Sequence, residues 1–175
     1  MVCFDEYGPV EVRPQGGSAW APQGRPLRRR ADYTRRHGVR YFFSAYDVHA
    51  DRLWMHQKRR KRWQETLAFL RAIRRRYPTA KRIQLVLDNL STHKRKEVRA
   101  WCRANNMHLV FTATYASWMN RIECHFAPLK RFVIDNSDYP DHGAIAQAVR
   151  DYLRWRNRDA QNKEILKAQK SIRVL

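Results

Sequence analysis

The chain has 175 residues, 43% of them hydrophobic and 12% aromatic, which suits one domain around one packed core and excludes a disordered polyelectrolyte. No apolar run approaches the roughly 20 residues that span a bilayer, so no membrane segment is expected, and three cysteines without a CxxC pair exclude a disulfide framework or a structural zinc site and fit a reducing cytosol. Thirty-six Lys and Arg against 16 Asp and Glu give a net charge of +20, which directs the protein toward a polyanion and a DNA-associated place in the cytoplasm.

The first predicted strand is Val2 to Glu6, stopped by Gly8-Pro9 and followed by a turn-rich stretch through Gly24. Residues 25 to 62 carry a net charge of +10, and within them Val39 to Val48 and Arg52 to His56 read as an antiparallel hairpin turning at His49-Ala50-Asp51. A helix from about Lys61 to Tyr77 presents Trp63, Leu67, Leu70, Ile73 and Tyr77 on one face and is ended by Pro78. Ile83 to Leu87 is an apolar run, as a buried central strand requires, and it delivers Asp88. A basic helix over about Lys94 to Asn105 and a strand from Leu109 to Ala113 come next. Beyond the loop Thr114 to Ser117, a helix is expected over Trp118 to Ile134, with Trp118, Ile122, Phe126 and Leu129 as its apolar stripe. Pro128 cannot donate to the carbonyl of Cys124, so that helix should kink or restart there. Asp141 caps a last amphipathic helix reaching about Asn157, with Ile145, Val149, Tyr152 and Leu153 inward. The order implies an α/β domain with a mixed sheet flanked by helices.

Three acids stand out by placement: Asp5 at the end of the first strand, Asp88 at the end of the most apolar strand, and Glu123 early in a helix, at the margin of its apolar stripe. Carboxylates gathered in a cleft repel one another unless a cation neutralises them, and Mg²⁺ or Mn²⁺ prefers such oxygen ligands. Each also has a plainer reading: Asp5 paired with an arginine, Asp88 capping the turn at Ser91-Thr92-His93, Glu123 solvated on its helix. Glu6 adjoins Asp5 but points to the opposite face of a regular strand, so it is not counted as a ligand.

Four segments, in order, resemble the DDE superfamily transposases of the mariner type, in particular their bacterial insertion-sequence branch. They are Phe4-Asp5-Glu6; Trp20-Ala21-Pro22-Gln23-Gly24; Val86-Leu87-Asp88-Asn89 with Ser91 and His93; and Tyr115-Ala116-Ser117-Trp118-Met119-Asn120-Arg121-Ile122-Glu123. The 34 residues between Asp88 and Glu123 match the spacing of that superfamily. The resemblance implies an RNase H-like fold with a five-stranded mixed sheet and a catalytic and metal-binding triad of Asp5, Asp88 and Glu123. It implies two Mg²⁺ ions, with Mn²⁺ as substitute. The implied reaction is hydrolysis at element ends, followed by attack of the freed 3′-hydroxyl on target DNA. Around that triad, Asn89, His93 and Asn120 are candidates to orient ligands or a phosphate.

Relatives carry a helix-turn-helix module ahead of the catalytic domain, whereas here the first catalytic strand opens the sequence. Residues 1–175 are therefore expected to be a catalytic domain without its DNA-reading module, working as a fragment, as a homodimer on DNA, or beside a separate DNA-reading chain. Arg28, Arg29, Arg30, Arg35 and Arg36 form the densest basic cluster, and Lys130 and Arg131 follow Glu123 by two turns; all are candidate phosphate contacts. Trp20 is either a plug for its loop or a base-stacking contact. Two other readings stay open: a catalytically silent DNA-binding remnant, and a stand-alone RNase H-like nuclease. The Tyr115–Glu123 segment and its spacing favour the transposase.

Overall fold

The computed structural model describes residues 1–18, 20–26, 28, 29, 31, 36–159, 164 and 167. Apolar residues give Val2–Glu11 (β1) and Val39–Asp47 (β2) buried residues on both faces, Arg52–Lys58 (β3) buries Leu53 and Met55 on one, and the three pair antiparallel in chain order. Ile83–Leu87 (β4) and Met107–Phe111 (β5) then add parallel to the other side of β1, giving the order β3-β2-β1-β4-β5. This is the mixed five-stranded sheet expected from the order of elements.

Alternation sends neighbouring residues into different cores. Phe4, Phe43 and Leu85 lie with Phe69 and Leu70 of Trp63–Arg76 (α1) and Val98 of Lys96–Ala104 (α2). Cys3, Phe42 and Tyr46 face the other way, toward Ile122 and Leu129 and toward Ile145, Val149 and Leu153 of His142–Asp159 (α4). Each fully buried Phe or Leu contributes about 1.5–3 kcal/mol by removal of apolar surface from water. Asp141 accepts from the backbone N–H of Ala144 at 2.8 Å, the cap expected for α4. No helix of the described residues is long and apolar enough to cross a membrane.

Three expectations need correction. β1 does not stop at Gly8-Pro9 but runs on to Glu11, because a bulge between Tyr7 and Val10 takes up the residue that cannot donate. Gly8 has φ +132° there, and a side chain at that position would place its Cβ 3.0 Å from the Arg40 carbonyl oxygen. The buried face of α1 is Thr66, Phe69, Leu70 and Ile73, with Trp63, Leu67 and Tyr77 only half-buried. The third correction lies in the segment after β5, where the long helix is broken into pieces. Ser117–Met119 and Glu123–His125 are single 3₁₀ turns, Phe126–Leu129 (α3) is one α turn, and Lys130–Ile134 is a π turn closed by the Asp135 N–H to the Lys130 carbonyl at 2.9 Å. Pro128 falls in the first turn of α3, where a missing N–H leaves nothing unsatisfied, so the restart expected at this proline is what the chain adopts. Trp118 is 76% exposed and does not belong to the apolar stripe, whereas Ile122 and Leu129 are fully buried.

Candidate active site

β1 and β4 are parallel neighbours, with Val2 opposite Leu85 and Cys3 opposite Val86. Asp5 and Asp88 each lie two residues beyond the Cys3–Val86 pair, so parallel pairing carries both carboxylates to the same edge of the sheet. That edge, at the carboxyl ends of parallel strands, is where open α/β sheets bind ligands. The third acid arrives by a different route. Asn120, buried, donates its amide to the Phe4 carbonyl at 2.8 Å, which pins the segment after β5 beside the residue preceding Asp5. The Glu123 N–H then bonds the Asn120 carbonyl at 3.0 Å while Ile122 enters the core, and Glu123 is left half-buried at the sheet edge.

Asp5, Asp88 and Glu123 line one cavity of about 550 Å³ together with Glu6, the Tyr7-Gly8-Pro9 bulge, Ser117 and Phe126. An adjoining cavity of about 500 Å³ shares Asp88 and Ser117 and extends along Asn89, Thr112 and Tyr115. The two form a trough over the ends of β4 and β5. Tyr115 stands fully exposed on its rim, at φ +60°.

Electrostatics mark this edge as short of positive charge. Burial pushes the Asp5 carboxyl up to about 7, and the nearby carboxylates of Glu6, Asp88 and Glu123 push the same way; the Glu6 N–H, bonded to Asp5 Oδ1 at 2.7 Å, opposes them. Asp88 moves in the other direction. Its carboxyl is held below the usual range, chiefly by the hydrogen bond from His93 and against the effect of burial, with the Leu90 N–H and the charges of His93 and Lys61 adding to it. His93 is completely buried and bridges two carboxylates, with Nδ1 2.8 Å from Asp88 Oδ1 and Nε2 2.9 Å from Glu6 Oε1. Burial alone would lower its pKa; the bonds to Asp88 and Glu6 win and raise it to about 9. Lys61 Nζ, 3.2 Å from Glu6 Oε2, closes the network.

Other candidate residues are placed as follows. The Asn89 amide donates to the Thr112 carbonyl at 2.6 Å and ties the end of β4 to the end of β5. Arg29 bonds the Asn136 carbonyl, Lys130 pairs with Asp135 at 2.5 Å, Arg36 contacts its neighbour His37, and Arg28 and Arg131 are exposed. Arg30 and Arg35 lie outside the described residues. Trp20 is fully exposed and plugs nothing. Among the described residues no three His, Cys, Asp or Glu side chains are drawn together tightly enough to form a finished metal cage. The residues that sequence reasoning missed are Glu6 and Lys61. Alternation correctly turned the Glu6 side chain away from Asp5, but that direction leads to His93 and through it to Asp88.

Comparison with known proteins agrees with this geometry. The family model described as DDE superfamily endonuclease matches residues 1–146. A curated relative, the insertion element IS630 uncharacterized 39 kDa protein of Shigella sonnei, is 24% identical over 88 residues, which cover 50% of this chain and 26% of the relative. Among solved structures, the Mos1 strand transfer complex matches with a TM-score of 0.69 at 14% identity, covering 97% of this chain and 50% of that one. The mariner Mos1 paired-end complexes crystallised with Mn and with Mg match at 0.67 and 0.65, each at 15% identity and over 97% of this chain, with 51% and 50% of those chains covered. The matched region is thus about a quarter of the curated relative, and the chain spans about half the length of the solved chains. At these identities the likeness establishes the fold, which is RNase H-like.

Proposed function

The chain belongs to the DDE superfamily endonucleases, and from that premise we propose that it is the catalytic domain of an insertion-sequence transposase, cutting DNA at element ends and joining the freed 3′-hydroxyl to target DNA. The observation that carries this reading is the convergence of Asp5, Asp88 and Glu123, from three separated segments, on one cavity at the carboxyl edge of the sheet.

The donor set fits a hard divalent cation. All three groups are carboxylates; burial is the chief cause of the raised Asp5 carboxyl, and the charges of Asp88 and Glu123 add to it. Mg²⁺ keeps several of its waters and takes one or two carboxylates, so it does not need a closed protein cage. Asp5, Asp88 and Glu123 would hold the ions, two Mg²⁺ or Mn²⁺ in this reading. When bound, such ions activate a water and stabilise the leaving oxygen of a phosphodiester. The chain's own part is placement: β1 and β4 fix two carboxylates on a rigid sheet, Asn120 fixes the approach of the third, and Asn89 fixes the strand ends beneath them. Exposed cations, among them Arg28 and Arg131, would hold the DNA backbone without reading base edges. Sequence recognition is then the task of a module other than this domain.

The test is nicking of supercoiled plasmid and of duplexes carrying element ends. We expect cleavage with Mg²⁺ or Mn²⁺ and none in excess EDTA. Asp88→Asn should remove cleavage while duplex affinity stays equal or rises slightly, because a negative charge beside phosphates is lost. Cleavage that persists in EDTA overturns the metal assignment, and cleavage confined to RNA–DNA hybrids moves the domain to the ribonuclease reading.

A further inference from the structure

We propose that Glu6 is a positioning residue that orients both aspartates of the candidate site at once, Asp5 through its backbone and Asp88 through His93. The inference rests on the metal-dependent reading above and deepens it.

The geometry is direct. The Glu6 N–H donates to Asp5 Oδ1 at 2.7 Å. On the other face of β1, Glu6 Oε1 lies 2.9 Å from His93 Nε2, and His93 Nδ1 lies 2.8 Å from Asp88 Oδ1. The His93 ring is thus held between the two carboxylates, with one nitrogen facing each. Neither the Glu6 nor the His93 side chain has any exposed surface, and Phe4 packs on the His93 ring at 5.0 Å between centroids, so the ring has no room to swing away. Asp88 Oδ1 takes a further bond from the Leu90 N–H at 3.1 Å. With Oδ1 engaged twice, Asp88 has its other oxygen, Oδ2, to offer to the cavity. A buried partner behind a ligating carboxylate fixes its orientation, as the hydrogen-bonded second partners of metal ligands do.

Lys61 is the other charged neighbour of the Glu6 carboxylate. Its ammonium, 3.2 Å from Glu6 Oε2, supplies the counter-charge on the side away from His93. Lys61, Glu6 and His93 thus connect the segment just before α1 to the end of β4. A purely structural ion pair would require no contact with Asp88. Here Glu6 reaches Asp5 through its own N–H and Asp88 through His93.

The experiment measures Mn²⁺ binding to the whole chain by electron paramagnetic resonance, without DNA and without turnover, for wild type, Glu6→Ala, Glu6→Gln and Asp88→Asn. Glu6→Ala should weaken Mn²⁺ about 10-fold or more, the usual effect of removing such a partner. Glu6→Gln keeps an oxygen for His93 Nε2 and should recover most of that loss. Asp88→Asn is the reference: if it leaves Mn²⁺ affinity unchanged, the metal reading itself fails. If Asp88→Asn abolishes binding while Glu6→Ala stays within about 2-fold of wild type, the metal reading stands and the role of Glu6 is overturned. Should Glu6→Ala not fold, the wild-type chain still decides. In ¹⁵N spectra both His93 ring nitrogens should shift when Mg²⁺ is added. A ring that does not respond at Nε2 overturns the proposal.

Discussion

Replacing Asp5 by asparagine should make the metal-free protein more stable while abolishing cleavage. Burial and three neighbouring carboxylates raise the Asp5 carboxyl from 3.8 to about 7. A folded-state pKa above the unfolded one means that the folded form binds the proton more tightly. Stability is therefore greatest below pH 3.8 and is lost as pH rises through 7, where the folded protein must carry the charge. With those two values, the penalty is about 0.6 kcal/mol at pH 4, about 1.7 kcal/mol at pH 5 and about 4 kcal/mol at pH 8. Asparagine carries no charge and keeps an Oδ1 to accept from the Glu6 N–H, so the variant should escape the penalty. The assay is urea unfolding of wild type and Asp5→Asn in EDTA at pH 4, 5 and 8. The midpoints should nearly coincide at pH 4 and separate steadily in favour of the variant by pH 8, at an unchanged m-value. Added Mg²⁺ should narrow the gap by stabilising wild type alone, through binding to the folded state. A variant equal to or less stable than wild type at pH 8 would refute the reasoning, because the carboxylate would then be well solvated or already neutralised by a protein cation.

Two further outcomes follow from other parts of the molecule. Arg156 on α4 is 8% exposed and bonds both the carboxylate and the backbone carbonyl of Asp51, itself 5% exposed. Arg156→Met should cost about 3–5 kcal/mol in urea unfolding because it takes the counter-charge from a buried carboxylate that also accepts from Tyr46 Oη at 3.0 Å, and Asp51→Asn added to it should restore a good part of that loss. For DNA, log affinity should fall linearly with log salt at a slope of about −0.9 per phosphate neutralised, nearly alike for two unrelated duplexes, and replacing Arg28, Arg29 and Arg30 with alanine should flatten it. A preference above about 1000-fold for an element end would instead show that this domain reads sequence itself.

The sheet was legible because its signals are periodic and local. Val39–Asp47 alternates between two apolar faces, and Ile83–Leu87 is short, apolar and flanked by polar turns. Both are properties of a strand that neighbours can strengthen but not reverse. The segment after β5 went astray for the opposite reason. Ser117 to Ile134 has helical spacing, yet the Asn120 side chain is committed to the Phe4 carbonyl on a strand more than a hundred residues earlier. Pinning Asn120 there and burying Ile122 turn the backbone through 3₁₀ geometry, and helix proper starts only at Phe126. Propensity is a weak prior against a buried hydrogen bond whose alternative is an unsatisfied carbonyl. In the same way, β1 crosses Gly8-Pro9 because it bulges there and resumes its pairing with β2 at Val10, which no local pattern around Pro9 encodes.

The acids divide along the same line. Asp5 and Asp88 could be singled out because each ends an apolar strand in a cationic chain, and parallel pairing then brings them to one edge. Glu123 had a weaker signal, its place at the margin of an expected apolar stripe, which the resemblance to a family pattern reinforced, and Asn120 is the physical reason it reaches the site. Glu6 was set aside because strand alternation turns it away from Asp5. That inference holds for the strand, but a sheet edge has two sides. The turn after β4, held by His93 N–H to the Leu90 carbonyl at 3.0 Å, folds back under the edge and brings the imidazole to the face where Glu6 points. From below, His93 reaches Asp88 at the end of β4, so a residue on the far face of β1 acts on the near one. The alternating pattern of a strand therefore separates the groups that can touch a substrate from those that cannot. It does not separate the groups that govern the site from those that merely fill the core.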